Sequence, residues 1–294
     1  MLSFGLPQPI TYEVREMVEK CRTLCGHTLS SHAFVSLYLW KTAMGLSIVS
    51  TDTFFAVKSE LYGKNSWFFP CGSEAEVMAF LEAHQNESDL HLVYLRKEDV
   101  ALLEDRFPGV WRVSPTPDAD EYIASTAEYA ALSGGGFAEI RRKLRRIEEN
   151  HAIEVLPLGE DTLCAALSVV TAWQTMTHAE SAEGLTDDRV AQCALRQWKD
   201  IGLSGVVVYI DGTPMSVFAG FPLCADTVDV LIGKCVPDAP KGLAYYALHE
   251  YVVRCCGAFT YCNHEEDLGI EGIRQMKNSL CPCSKNRTWE AFPV

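Results

Sequence analysis

The spacing of apolar residues changes along the chain and predicts alternating helices and strands. In residues 11–24 apolar side chains recur every three to four positions, the period of one helix face. Residues 46–51 and 53–60 are runs rich in β-branched and aromatic side chains, and they predict two strands of a hairpin. A helix at 73–85 and a strand at 90–95 follow. The first part thus orders helices, an antiparallel pair, a helix and a further strand.

The same order returns in the second half of the chain. Two helices come first, then an antiparallel meander that turns at Asp211-Gly212, a favoured hairpin pair, and then a helix and a last strand. The predicted elements are helices at 160–177 and 187–202, strands at 205–223 and 227–236, a helix at 243–256 and a strand at 258–263. This mixed order predicts an α+β fold and not a doubly wound parallel sheet.

The repeated order also predicts two tandem domains. The N-terminal domain is assigned to residues 1–136 and the C-terminal domain, with the candidate site, to residues 156–294. Residues 137–155 form a connecting helix and strand between them. The length of 294 residues fits two domains better than one.

Composition limits the kinds of function that the chain can have. Hydrophobic residues make up 48% of the chain, which is enough for a full core. The 25 basic and 39 acidic residues give a net charge of −14, which argues against a large nucleic-acid surface but allows one local basic site. We expect no secretory signal and no run of about 18 apolar residues that could cross a membrane, so the predicted location is the cytoplasm.

The 12 cysteines raise the question of a metal site. The close pairs Cys21/Cys25 and Cys281/Cys283 do not give the two Cys/His pairs at ligand spacing that a zinc site uses. We therefore predict no metal, and expect reduced and mostly buried thiols that act as small apolar side chains. A metal-binding cysteine protein stays the least favoured alternative.

Two segments are candidates for binding an anion. In residues 231–244 a strand leads through a loop to a helix that starts near Lys241 and Gly242. Unpaired amides and the helix dipole favour a phosphate at such a start, and Lys234 would add a positive charge. In residues 134–150 three glycines precede a helix that has a basic face and an apolar stripe. The alternatives are an ordinary strand–helix turn with surface lysines and a solvated connecting helix.

Residues 263–277 contain the densest group of polar residues. Asn263 is a candidate N-cap with Glu266 three residues later, and Asp267 is a rival cap. Gly269 and Gly272 are predicted to share one face of the helix that follows, as close packing or a ligand would require. A carboxylate at the end of a central strand can accept a proton from an amine or hydroxyl group. Dipole-stabilising acids without catalytic function are the alternative.

Five segments, taken in order, resemble a bacterial family. They are "SSHAFVSLYLW", "DEYIASTAEYAALSGGG", "RRKLRRIEEN", "VLIGKC" followed by "KGLAYYALHEY", and "YCNHEEDLGIEGIRQMKNSLCP". Together they are similar to the C-terminal part of phosphatidylglycerol lysyltransferase and its stand-alone relatives. The last segment is the most specific, through Asn263, Glu265, Glu266, Asp267, Gly269, Gly272, Arg274 and Lys277.

This resemblance implies two tandem domains of the GNAT fold of N-acetyltransferases. In that fold a central strand parts from its neighbour, and the next helix start holds the donor's pyrophosphate. Gly242 and Ala244 match the glycine and small-residue positions of the acetyltransferase pattern, whereas Ala239 stands where that pattern has Gln or Arg.

The first hypothesis is an acyl- or aminoacyltransferase without a tightly bound cofactor. The co-substrate would be acyl-CoA or aminoacyl-tRNA, with tRNA disfavoured by the charge of −14, and the acceptor a small molecule or lipid headgroup. The predicted catalytic residues are Asn263 at the oxyanion and Glu266 or Asp267 as proton acceptor. The residues predicted to bind the donor are Lys234, Lys241, Gly242 and Ala244. Arg274 and Lys277 are predicted to bind an anionic part of the substrate. The alternative is a catalytically degenerate GNAT-like scaffold that binds a ligand or a protein, which Ala239 favours.

Overall fold

The computed structural model describes residues 4–180 and 188–294. The described residues form fifteen strands and eleven α-helices. The strands are β1 (Gln8–Pro9), β2 (Ser47–Ser50), β3 (Phe54–Ser59), β4 (Ser66–Phe68), β5 (Cys71–Gly72), β6 (His91–Leu95), β7 (Trp111–Pro115), β8 (Glu121–Ser125), β9 (Ile153–Pro157), β10 (Ser204–Ile210), β11 (Thr213–Pro222), β12 (Thr227–Cys235), β13 (Tyr261–Asn263), β14 (Ser284–Asn286) and β15 (Trp289–Pro293). The helices are α1 (Arg15–Leu24), α2 (Phe34–Trp40), α3 (Glu74–His84), α4 (Lys97–Arg106), α5 (Thr126–Ala131), α6 (Ala138–Asn150), α7 (Leu163–Glu180), α8 (Asp188–Arg196), α9 (Trp198–Ile201), α10 (Leu243–Cys255) and α11 (Glu271–Ser279). The predicted helix start at Asp187 lies outside the described residues.

The first sheet has eight strands in the order β1-β2-β3-β4-β6-β15-β7, with β5 paired to β3. The predicted hairpin of β2 and β3 is confirmed by their antiparallel register. β4 and β6 are parallel, and α3 connects them. In β3, Phe54 and Phe55 belong to different apolar clusters, because successive side chains of a strand point to opposite faces. Both faces of this sheet are therefore buried.

The second sheet has seven strands in the order β14-β8-β13-β12-β11-β10-β9. β10 and β11 form the predicted hairpin, and both residues of its turn, Asp211 and Gly212, have positive φ. β12 and β13 are parallel, with α10 as the connection. Each sheet thus contains a parallel pair joined through a helix beside an antiparallel meander.

A single apolar cluster joins α10 and α6 to the second sheet. Tyr246 and Tyr251 of α10 are buried in it, and the sheet contributes Val208 and Val230. The predicted apolar stripe of α6 is confirmed, because its members are buried in this cluster: Phe137, Ile140, Leu144 and Ile147.

The chain divides into two compact units. The first comprises the described part of Met1–Glu121 with Glu266–Gly269 and Lys285–Val294, and the second comprises the described part of Tyr122–Glu265 with Ile270–Ser284. These bounds differ from the division predicted at residues 136 and 156. The reason is that α5 packs in the cluster of α10, through Tyr129, while β15 completes the first sheet between β6 and β7.

Candidate functional site

The parallel pair of the second unit is short. β12 and β13 are in register at three positions, of which Asp229 and Asn263 are the last. β13 ends there, whereas β12 continues to Cys235, so within the described chain Val230–Cys235 has no partner in β13. Pairing with β13 therefore stops at Asp229, and within the longer part of β12 the Lys234 carbonyl accepts the Ser216 hydroxyl at 2.9 Å.

Asn263 is fully buried at the end of β13, but it does not cap a helix. Its Oδ1 accepts the backbone N–H of Glu265 at 2.8 Å, which closes a local turn, and Glu265 has a φ of 57°. The predicted helix start at Asn263 or Asp267 is wrong, since α11 begins at Glu271 with Ile270 as its N-cap. Side chains of Asn compete with helix formation through such local bonds. The catalytic role of Asn263 stays a prediction.

The two glycines of this segment do not share a helix face, so that expectation is wrong. Gly269 lies in the loop with a φ of +72°, a conformation that glycine adopts without steric cost, and its N–H donates to Asp267 Oδ1 at 2.9 Å. Gly272 lies in the first turn of α11, with open space around its Cα. Gly269 therefore serves the loop conformation.

Glu266 and Asp267, the predicted proton acceptors, belong to the first unit. Asp267 is fully buried and Glu266 is half-buried. The pKa of Tyr94 is raised, mainly by burial, and the negative charge of Glu266 raises it further. The pKa of Tyr62 is raised in the same way, and its hydroxyl lies 2.6 Å from that of Tyr94. Glu266 therefore acts electrostatically on two tyrosines that the sequence did not connect with it.

A further carboxylate, Glu121, lies close enough to Glu266 to be affected by its negative charge. The sequence pattern did not single out this residue. It is buried, and its Oε1 accepts the backbone N–H and the hydroxyl of Ser30, each at 2.7 Å. Its Oε2 accepts Asn286 Nδ2–H at 3.0 Å. Burial raises the pKa of Glu121, with Glu266 adding to the rise and these hydrogen bonds opposing it. In the first unit, Glu121 thus bonds the hydroxyl of Ser30, and Glu266 lies close enough to the hydroxyls of Tyr62 and Tyr94 to raise their pKa values.

The predicted donor segment has an open helix start. Gly242 is the N-cap of α10 with a φ of +101°. The amides of Leu243 and Tyr245 donate to the carbonyls of Pro240 and Gly242. Within the described residues the amides of Gly242 and Ala244 have no acceptor, and the side chain of Lys241 is exposed. Two N–H groups and the positive end of the helix dipole can thus meet an anion.

The basic helix α6 lies against this helix start, so the structure brings together two segments that the sequence left separate. A Cβ added to Gly242 would lie 3.1 Å from the Cβ of Lys143. The ammonium group of Lys143 lies 3.9 Å from the ring centroid of Tyr245 in α10. The Cβ of Lys143 therefore lies beside Gly242 and its ammonium group over Tyr245, a position that could not be read from periodicity.

The triple glycine before α6 is held by the helix itself. Arg141 Nη1 donates to the carbonyls of Leu132 and Gly134, at 2.5 and 2.8 Å. Arg142 pairs with Glu139 one turn earlier. These two arginines have local partners, and Lys143 is the member of the basic face that meets α10.

Lys234 and Lys277 are both buried cations in the second unit. The ammonium group of Lys234 lies 3.8 Å from the ring centroid of Trp173, a cation–π contact. Lys277 lies near His264, where burial, and to a smaller extent the charge of Lys277, lower the pKa of the imidazole to about 3. Arg274 is half-buried on the same helix as Lys277. Their binding roles stay predictions.

Residues 4–180 and 188–294 contain neither a metal-ligand cluster nor a membrane-spanning helix. No three His, Cys, Asp or Glu side chains converge there as metal ligands. None of the helices in those ranges has the length and apolar character that a bilayer span needs. Two cavities, of about 160 and 490 Å³, open in the first unit, and neither is lined by a predicted site residue.

Residues 22–287 match the model of the family described as phosphatidylglycerol lysyltransferase, C-terminal. A comparison with curated proteins gives no match. Among solved structures, a conserved protein of unknown function from Bacteroides thetaiotaomicron VPI-5482 is 21% identical, with a TM-score of 0.85 over 99% of this chain and 100% of that one. L-PGS from Bacillus licheniformis is 16% identical, with a TM-score of 0.67 over 98% of this chain and 93% of that one. A tandem GNAT protein from the clavulanic acid biosynthesis pathway is 9% identical, with a TM-score of 0.50 over 98% and 97%.

These matches confirm the resemblance found in the sequence and the predicted fold class. The fold is α+β with two tandem GNAT-like domains, each a mixed, mostly antiparallel sheet flanked by helices. Family and fold together support a function of acyltransferase or aminoacyltransferase type in general terms. Since the family match covers most of its length, the chain belongs to the phosphatidylglycerol lysyltransferase C-terminal family.

Proposed function

We propose that the protein transfers an acyl or aminoacyl group from a phosphate-bearing donor to an amine or hydroxyl acceptor. The observation that carries this proposal is the start of α10, where the open amides of Gly242 and Ala244 lie beside Lys143. Two N–H donors, a helix dipole and an ammonium group are a suitable set for a donor phosphate.

The donor's acyl carbonyl would lie along the part of β12 that continues beyond its pairing with β13. Residues 230–233 are the proposed place for a pantetheine amide or a ribose. In the reaction the acceptor's nitrogen or oxygen attacks the carbonyl carbon. The bond from that carbon to the thioester sulfur or to the ribose oxygen then breaks, and the leaving group takes up a proton.

Two side chains are proposed for the chemical steps. Glu266, predicted from the sequence, is the carboxylate proposed to accept the proton that the acceptor loses, as a general base. Asn263, at the end of β13, is the side chain proposed to stabilise the oxyanion. Lys234, Lys241, Arg274 and Lys277 would contribute charge to the binding of donor and substrate.

Donor binding is the first test. The protein is titrated with acetyl-CoA, longer acyl-CoAs and aminoacyl-tRNA, and affinity is measured by calorimetry. Lys143→Ala should weaken binding of the preferred donor about tenfold, since one charged hydrogen bond is worth about 1.4 kcal/mol or more. The matched control is Arg142→Ala, the neighbouring residue on α6, which pairs with Glu139. Equal effects of the two variants, or no saturable donor, would contradict the proposal.

Turnover is the second test, made with the donor that binds. Glu266→Gln should lower kcat by about a hundredfold while donor affinity stays unchanged. Glu271→Gln, an exposed acid of α11, is the control. Unchanged kcat in Glu266→Gln would exclude this carboxylate as the base.

The degenerate scaffold is the second candidate function. It is favoured by Ala239 at the position where acetyltransferases have Gln or Arg. Saturable donor binding without any turnover, across amine and hydroxyl acceptors, would favour this candidate.

A further inference from the structure

Two thiols of the first unit are in contact although they are distant in sequence. Cys25 lies at the C-terminal end of α1 and Cys71 in β5, 46 residues apart, and their Sγ atoms are separated by 3.2 Å. A disulfide needs about 2.05 Å between its sulfurs, so a shift of about 1 Å brings the two to bonding distance. The expectation that most cysteines are buried is wrong: four of the twelve are buried, six are half-buried and two are exposed.

Access to these two thiols is unequal. Cys71 is buried, whereas Cys25 is half-buried and lines the cavity of about 160 Å³. The same cavity is lined by Gly72 and Arg96. A small molecule that enters it reaches Cys25 first, with Cys71 directly behind.

The guanidinium group of Arg96 is fixed beside Cys25. Its Nη1 donates to the carbonyls of Cys25 and Gly26, each at 3.2 Å. Its Nε and Nη2 bond Asp99 at 2.9 and 2.8 Å, and Asp99 is buried. Arg96 therefore cannot move away from Cys25 without breaking its two hydrogen bonds to the buried Asp99.

These surroundings favour a thiolate at Cys25 and a thiol at Cys71. The hydrogen bond from Cys71 and the charge of Arg96 lower the pKa of Cys25, with a smaller contribution from the backbone of Gly72 and against the effects of burial and of Asp99. The pKa of Cys71 is raised by the same hydrogen bond and by burial. The thiolate is the nucleophilic form of cysteine, so the accessible sulfur is also the reactive one.

We propose that Cys25 and Cys71 form a peroxide-reactive dithiol, in which the accessible Cys25 attacks hydrogen peroxide and the buried Cys71 then forms a disulfide with it. In the first step the Cys25 thiolate attacks one oxygen of the peroxide and the O–O bond breaks, giving a sulfenic acid and hydroxide. In the second step Cys71 sulfur attacks the Cys25 sulfur, and water leaves with the Cys71 proton. Two sulfurs are oxidised, one peroxide is reduced, and a thiol reductant reverses the change.

The cavity favours a small neutral oxidant over a bulky disulfide. Its volume of about 160 Å³ is far smaller than a glutathione disulfide needs, and its lining includes the carboxylates of Glu74, Glu98 and Asp99. These charges repel an anionic oxidant but not hydrogen peroxide. The inference rests on the first unit's own residues and does not depend on the proposed transferase activity.

A second thiol pair in the same protein provides an internal control. Cys256 and Cys262 are hydrogen-bonded to each other, and the bond lowers the pKa of Cys256. Both are buried in the apolar cluster of α10 and neither lines a described cavity. This pair should stay reduced in the folded protein under conditions that oxidise the Cys25–Cys71 pair.

The experiment treats the full, reduced chain with a small excess of hydrogen peroxide at neutral pH. Free thiols are then alkylated, and the chain is digested without reductant for mass spectrometry. The expected result is a peptide pair joined through Cys25 and Cys71, lighter by two hydrogen atoms, formed at least about tenfold faster than oxidation of the exposed Cys164. Oxidation of Cys25 no faster than Cys164, or no joined peptides, overturns the proposal.

Variants separate the two steps. Cys71→Ser should trap the sulfenic acid, seen as a dimedone adduct on Cys25, and Cys25→Ser should leave Cys71 unmodified. Cys164→Ser is the matched control and should behave as the unsubstituted chain. Far-ultraviolet circular dichroism checks the fold of each variant, and if either cysteine variant fails to fold, the peptide map of the unsubstituted chain decides. A dimedone adduct spread equally over several cysteines in Cys71→Ser would refute the assignment of Cys25.

Discussion

Lowering the pH should destabilise the second unit through one buried imidazole, that of His264. It follows Asn263 directly, its backbone N–H donates to the Tyr122 carbonyl at 2.9 Å, and its side chain is buried. Among the described residues its Nε2 has no hydrogen-bond partner. Burial, and then the charge of Lys277, lower its pKa from 6.5 to about 3. The folded chain therefore holds His264 neutral where the unfolded chain would bind a proton.

The sign and size of the effect follow from this difference in proton binding. Stability from the neutral imidazole is fully present above the unfolded pKa of 6.5 and is lost as the pH falls toward the folded value of about 3. At about pH 5 His264 is protonated in the unfolded state and neutral in the folded state. This difference in proton binding extends over about one and a half pH units, from 6.5 down to 5. At about 1.4 kcal/mol per unit the loss is about 2 kcal/mol.

The assay compares the unsubstituted chain with His264→Phe, which keeps an aromatic ring and removes the titrating group. Urea unfolding at about pH 7.5 and about pH 5 is followed by hydrogen exchange of peptides from β12 and β13. The free energy of unfolding of the unsubstituted chain should fall by about 2 kcal/mol more than that of the variant. His84→Gln, at the end of α3, is the control. An imidazole NMR titration of His264 with a midpoint near 6.5 would refute the reasoning.

Three further predictions concern stability. Since burial and Glu266 both raise the pKa of Glu121, the folded protein loses stability as the pH rises above the unfolded value of 4.5. Glu266→Gln should therefore raise the free energy of unfolding at neutral pH by up to about 1 kcal/mol, measured by urea unfolding. The disulfide of the proposed dithiol would close a loop of 46 residues and stabilise the first unit by about 4 kcal/mol, measured as a higher Tm without reductant than with it. Gly220→Ala should cost about 3 kcal/mol or more, because the new Cβ would lie 1.9 Å from the Asp229 carbonyl oxygen, whereas Gly257→Ala meets no atom within 4 Å; calorimetry separates the two.

Local patterns were sufficient to predict the elements whose geometry is set by neighbouring residues. The turn at Asp211-Gly212 requires two residues of positive φ, and this pair supplies them. The stripe on α6 has the period of a helix, so its burial followed from spacing alone. The doubled order of elements predicted the two tandem domains, because each domain repeats a meander followed by a crossover helix.

Contacts between distant segments could not be predicted in this way. β15 enters the first sheet between β6 and β7, although more than half of the chain separates it from them. The cation–π contact between Lys234 and Trp173, and the approach of Lys143 to Gly242, depend on how helices pack on the sheet. Periodicity says which face of an element is buried, but it does not say against which partner.

The prediction of a helix directly after β13 fails because two local preferences compete there. Acids near the start of a helix and an Asn N-cap predict a helix from Asn263. The side chains of Asn263 and Asp267 instead each accept a backbone N–H two residues later, from Glu265 and Gly269. Such bonds give the backbone an alternative to the helix, and the positive φ of Gly269 then delays it until Glu271.

The two parallel crossovers differ in the charge at the start of their helices, and this difference supports donor binding in the second unit. β4 and β6 pair over three residues around α3, as β12 and β13 do around α10. The first turn of α3 carries Glu74 and Glu76, which already occupy the positive end of that helix dipole and would repel a phosphate. The first turn of α10 has no acid, and Lys143 lies beside it. A phosphate-bearing donor should therefore bind at α10 and not at α3, although the two crossovers share one topology.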